Sequence, residues 1–125
     1  MGPFTLDSNI LIYHLKEDRS VTQALETWLL GGTPLCISAI TRIELLAAPV
    51  LRAGEEAEIL NLLEQFILVP VDAQVADVAA RVRRAHRLEL GDSIIAATAL
   101  LRNTALVTRN VRDFRKVTNL EIMAL

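Results

Sequence analysis

Five apolar runs too short to be helices punctuate this 125-residue chain, and they fix what it can fold into: Phe4-Thr5-Leu6, Pro34–Ile37, Phe66–Val71, Ala105–Val107 and Leu120–Met123. Between them apolar residues recur at helical spacing, which predicts helices over residues 9–16, 21–30, 40–47 and 55–65. A further helix follows Asp72, with Val75, Val78, Ala79 and Val82 as its buried stripe. Another begins at Asp92 and is apolar nearly all round, so it belongs at the centre. Gly31-Gly32 is a stop signal for the second helix, Ser38 a cap for the third, and Pro49 its end. Short buried strands alternating with helices predict an α/β chain with a parallel sheet, read as one domain over residues 1–125. In such a sheet the ligand crevice lies beyond the carboxyl ends of the strands, where Asp7 and Thr108 fall.

Composition narrows the function classes. With 52% hydrophobic and 22% charged residues the chain can bury a core, which excludes disorder. No apolar run is long enough to span a bilayer, and Met1-Gly2-Pro3-Phe4 does not open a secretory signal. The single cysteine, Cys36, has no internal partner, so a cytoplasmic setting is expected, with no membrane role. Two histidines, His14 and His86, and one thiol are too few for a zinc site, so any metal must be held by oxygen. The apolar fraction exceeds what a small interior absorbs, which points to a protein partner or a homodimer or higher oligomer.

Four carboxylates stand out. Glu44 shares a helix face with Ile40, Ile43 and Ala47, an apolar stripe where a charge is costly unless paired, for instance with Arg42, or placed at the edge. Asp92 opens an apolar helix and reads equally as an N-cap. Asp7 reads as a cap or Asx turn, and Asp113 as a solvated loop residue. Taken together they change meaning, because the fold directs at least Asp7 and the 108–113 segment to one crevice. His14 and Trp28 read as packing residues rather than as a general base and a nucleotide stack.

The segments that carry these residues are Leu6-Asp7-Ser8-Asn9-Ile10-Leu11-Ile12, Thr41-Arg42-Ile43-Glu44-Leu45, Gly91-Asp92-Ser93-Ile94-Ile95-Ala96-Ala97 and Val107-Thr108-Arg109-Asn110-Val111-Arg112-Asp113-Phe114. In this order they resemble the four signature blocks of PIN-domain nucleases, most closely the VapC type, the toxin half of toxin–antitoxin pairs. Two positions depart from the common pattern, Gly91 where Pro often stands and Ser93 where Ala is common, and neither removes a carboxylate. The resemblance implies a PIN-like three-layer α/β/α fold, with a short central parallel sheet flanked by helices. It implies metal-dependent endonucleolytic hydrolysis of RNA, and a small VapB-like antitoxin as partner. On that reading Asp7, Glu44 and Asp92 hold the metal, and Asp113 joins through water or a second ion. Ser8, Asn9, Thr108 and Asn110 support those groups or contact the phosphate. Hard oxygen donors select Mg²⁺ or Mn²⁺.

Charge is uneven along the chain. The formal total is −2, yet residues 1–80 carry −7 and residues 81–116 carry +6. The basic stretch includes Arg81, Arg83, Arg84, Arg87, Arg109, Arg112, Arg115 and Lys116. Arg109 and Arg112 flank the proposed site and are the expected phosphate contacts, whereas the 81–87 arginines equally suit the negative end of a helix dipole. Aromatic residues are 4%, too few for base-stacking platforms. Rival readings are a PIN nuclease of RNA processing without a toxic role, a non-catalytic RNA-binding module, and a phosphoacceptor receiver. The receiver needs a lysine closing a late strand, and Lys16 and Lys116 do not stand there.

Overall fold

Among the described residues every strand is three or four residues long; the central β-strands are buried on both faces, whereas the two edge strands are partly exposed. The computed structural model describes residues 2–47 and 52–125. In chain order these form β1 (Phe4–Leu6), α1 (Ser8–Leu15), α2 (Arg19–Leu30), β2 (Leu35–Ser38), α3 (Ala39–Leu46) and α4 (Glu55–Leu63). Then follow β3 (Ile67–Val69), α5 (Ala73–His86), α6 (Leu90–Arg102), β4 (Ala105–Thr108), α7 (Val111–Phe114) and β5 (Ile122–Ala124). The sheet is parallel throughout, in the order β3-β2-β1-β4-β5. The chain therefore winds outward in one direction from β1 through β2 to β3, and in the other through β4 to β5. The reversal point lies between β1 and β4, where an α/β sheet opens its crevice.

Alternation along the strands builds two cores. Phe4, Leu6, Leu35, Ile37 and Val107 face one layer, packing with Ile10, Leu11, Val21, Leu25, Leu45 and Ile59. Leu106 faces the other, against Ile95, Ala96 and Ala99 of α6. The alanines of α6 let that helix lie close over β1, β2 and β4, and α5 packs outside it. Thr5 lies beneath this layer, its hydroxyl bonded to that of Thr104 at 2.6 Å. Helices thus cover both faces of the sheet, which is the expected three-layer α/β/α arrangement.

Most boundaries follow local chemistry. The side chains of Asp18, Ser38 and Asp72 accept from the amides of Val21, Ile40 and Val75 and so start α2, α3 and α5. Gly31 caps α2, and Gly32 makes the following turn at φ +72°. Three expectations need correction. The buried face of α3 is Thr41 and Leu45, not residues 40, 43, 44 and 47; Ile43 is 61% exposed and Glu44 is also exposed. Thr41 meets Ser8 of α1 and Leu45 joins the core, and an eight-residue helix has too few turns to fix its inward face by pattern alone. Helix α6 begins at Leu90 with Glu89 at its N-cap, so Asp92 lies inside the first turn rather than capping it. Asp7 does hold the N-cap position of α1, yet its side chain makes no capping hydrogen bond. Pro49, expected to end the third helix, lies outside the described residues, and α3 ends at Leu46.

Candidate active site

Both strands at the reversal point end in a side chain of the site. Asp7 follows β1 and is 3% exposed; Thr108 closes β4 and is fully buried. The Thr108 hydroxyl donates to Asp7 Oδ2 at 2.8 Å and accepts from the amide of Asn110 at 2.9 Å. The Asn110 side chain in turn donates to Asp113 Oδ2 at 3.1 Å, in the first turn of α7. One short turn therefore holds two of the four carboxylates.

Glu44 is held from α1. The Ser8 hydroxyl donates to Glu44 Oε1 at 2.8 Å and lies 2.8 Å from the hydroxyl of Thr41. The Glu44 carboxylate also reaches the start of α6: a methyl group placed on Gly91 would sit 3.7 Å from both its oxygens. Asp92 is the next residue. No ion pair with Arg42 occurs among the described residues; Glu44 is stabilised by a hydroxyl instead.

Electrostatics ties the four together. Burial, then the negative charges of Asp7, Glu89, Glu44 and Asp113, push the Asp92 carboxyl up to about 6. Burial also raises Asp7 above the ordinary carboxylate range, aided by the charge of Glu44 and opposed by the Thr108 hydroxyl and the amides of Asn9 and Ser8. Among the described residues, no three carboxylate, imidazole or thiol groups stand close enough together to form a ready-made ligand shell. The expected convergence of Asp7, Glu44 and Asp92 into one coordination sphere is thus not met at ligand distance. Their negative charges nonetheless act on one another at the carboxyl ends of β1 and β4. The donors are all carboxylate oxygens whose ionised forms repel one another, a set that fits a hard divalent cation.

The remaining expected residues divide. Ser8 is buried and bonded to Glu44, while Asn9 is exposed. Arg112 is exposed beside Asp113, with no hydrogen bond or ion pair among the described residues. Arg109 departs from the expectation of a phosphate contact. Its guanidinium is spent on Asp18 at 2.8 and 3.1 Å, on the Ser20 hydroxyl at 2.9 Å and on the Leu125 carbonyl at 3.1 Å. His14 bonds to Thr22 and Trp28 packs on Phe4, both as expected. Sequence reasoning passed over two residues, Thr41 and Glu89. Each precedes a site carboxylate by three residues, one helical turn, and that spacing was the available signal.

The PIN domain family model matches residues 4–120, and the chain belongs to that family. It is 38% identical over 117 residues to Ribonuclease VapC10 of Mycobacterium tuberculosis, an alignment spanning 87% of this chain and 84% of the relative. Among solved structures it resembles a toxin–antitoxin complex from Klebsiella pneumoniae, with TM-score 0.80 and 32% identity over 94% of this chain and 95% of that one. It also resembles DNA-bound VapBC from Salmonella typhimurium, with TM-score 0.79 and 26% identity over 99% and 98% of the two chains.

Proposed function

We propose that this protein is a metal-dependent endoribonuclease, the toxin member of a toxin–antitoxin pair, with residues 1–125 forming one PIN-like nuclease domain. The observation that carries this reading is geometric: at the reversal point of the sheet Thr108, Ser8 and Asn110 hold the carboxylates of Asp7, Glu44 and Asp113 by hydrogen bonds, with Glu44 reaching the turn that bears Asp92. Similarity to a ribonuclease over most of the chain gives that cleft its substrate class.

Asp7, Glu44 and Asp92 are the residues to hold Mg²⁺ or Mn²⁺, with Asp113 alongside. When bound, such an ion offsets negative charge at the scissile phosphate and makes water a better nucleophile. The chain's own groups prepare the cleft. Thr108, Ser8 and Asn110 each donate to one oxygen of Asp7, Glu44 and Asp113, which fixes the direction in which each carboxylate points. Lys116 lies 3.9 Å from Asp113. Arg112 is free to meet a flanking phosphate, and the exposed Arg81, Arg83, Arg84 and Arg87 of the 81–87 stretch supply a basic surface for the RNA backbone.

Protein partners fit the apolar surface. A groove of about 650 Å³ between α1, α3 and α4 has an apolar floor of Ile12, Leu15, Leu45 and Ile59 with a charged rim that includes Lys16, Arg52 and Glu44. A VapB-like antitoxin segment seated there would block the cleft. Ile43, Ile67, Leu68 and Leu90 are exposed and suit contact with a second copy. Among the described residues no helix is long and apolar enough to cross a membrane. An RNA substrate places the work of the protein in the cytoplasm.

The test is to express the chain with and without the neighbouring small open reading frame and to map cleaved RNAs. Growth arrest and metal-dependent cleavage by the chain alone, lost on co-expression or with EDTA, are expected. Cleavage that persists with EDTA and in Asp92→Asn would refute the assignment.

A further inference from the structure

The geometry points to Arg109 as a positioning residue for the acidic cleft, acting through a clamp with Asp18 rather than by touching RNA. This inference rests on the ribonuclease reading above. Arg109 stands between Thr108, which holds Asp7, and Asn110, which holds Asp113. Its side chain leaves the cleft and reaches across to the start of α2. There Nη1 and Nη2 donate in parallel to the two oxygens of Asp18, a fork-to-fork pair that fixes orientation as well as distance. Ser20 and the Leu125 carbonyl take further donors, and the guanidinium carbon lies 4.5 Å from the centre of the Tyr13 ring.

The acceptor is itself anchored. Asp18 caps α2 through the Val21 amide and accepts from the Ser20 hydroxyl, so the clamp pulls against a helix end rather than a loose loop. The two side chains are 30% and 27% exposed, covered enough for the geometry to persist. Four separate parts of the chain, the end of α1, the start of α2, the β4–α7 turn and Leu125, meet on one guanidinium. The turn so tethered is the one whose hydroxyl and amide orient two of the four carboxylates. Free play there misdirects Asp7 and Asp113 together, and small misplacements of reacting groups cost large factors in rate.

Two readings of Arg109 diverge in Asp18→Asn. If Arg109 meets RNA phosphate, removing Asp18 frees the guanidinium, and KM falls or holds while kcat is kept. If Arg109 positions the cleft, Asp18→Asn and Arg109→Lys each lower kcat by about tenfold or more, with KM and salt dependence nearly unchanged. Lysine keeps the charge but lacks the fork, so it does not restore kcat. The double variant is then no worse than either single one, because both break the same contact. Amide exchange on the same proteins gives a reading independent of cleavage: Asn110 loses protection in both variants while the α6 amides keep theirs. Wild-type kcat in Asp18→Asn overturns the inference. A wild-type protein that cleaves no RNA overturns the ribonuclease reading, and unchanged exchange at Asn110 would then overturn the clamp on its own.

Discussion

The Thr108 hydroxyl and the Asp7 carboxylate, 101 residues apart in the chain, lie 2.8 Å apart at the reversal point of the sheet. The same hydroxyl accepts from the Asn110 amide. Thr108→Val keeps the shape of the side chain but removes the hydroxyl donor of a buried carboxylate and leaves the Asn110 amide without its acceptor. The expected loss is about 1–3 kcal/mol of stability, read by urea unfolding, together with reduced cleavage. Unfolding at wild-type denaturant concentration would show that water substitutes freely.

A divalent cation should raise the melting temperature, because it offsets the repulsion among Asp7, Glu44, Asp92 and Asp113. At a metal concentration about 100 times the dissociation constant the linkage amounts to about 2.7 kcal/mol. Asp7→Asn should shrink the response. A wild-type melt indifferent to Mg²⁺ and Mn²⁺ would remove the metal site from the proposal.

Asp92 makes stability depend on pH in a direction opposite to most carboxylates. Its folded value of about 6 stands above the ordinary aspartate value of 3.8, so the folded state binds its proton more tightly than the unfolded one. Without metal, this contribution is fully present below pH of about 4 and is lost as pH rises to about 6, by no more than about 3 kcal/mol and less after solvent screening. Thermal melts in EDTA across this interval check it, and Asp92→Asn should flatten the slope. A slope that Asp92→Asn leaves unchanged would assign the effect elsewhere.

Gly91 lies in the first turn of α6 with ordinary contact distances around the place a methyl would occupy, the nearest atoms being the Glu44 oxygens at 3.7 Å. Gly91→Ala should therefore stabilise the fold by about 0.5 kcal/mol through helix propensity, a rise of a few degrees in Tm. A lower Tm would mean that Glu44 sits tighter against this turn than its distance implies.

The sequence made the layered fold readable because its strands are short and apolar and its helices carry caps at Asp18, Ser38 and Asp72. Asp7, Glu44, Asp92 and Asp113 were readable from four blocks in order. Glu44 does not lie in a buried stripe but is exposed at the edge of α3. Helix α3 turns Thr41 and Leu45 inward, toward Ser8 of α1 and the core, a choice made by tertiary packing rather than by the helix's own pattern. Partnerships across long separations were not readable either. Nothing near Arg109 announces Asp18, 91 residues away, so a basic residue beside a nuclease motif was taken for a phosphate contact.

The strand order carries one consequence for the timing of folding. Asp7 follows β1, which is central, and the Thr108 that closes its partner on the site side, β4, stands 101 residues further along the chain. A growing chain holds Asp7, Glu44 and Asp92 well before it holds Thr108, Asn110 and Asp113. Closing that long loop is slow relative to local helix formation. The pairing of β1 with β4, and with it the Thr108 contact to Asp7, therefore forms after the local helices.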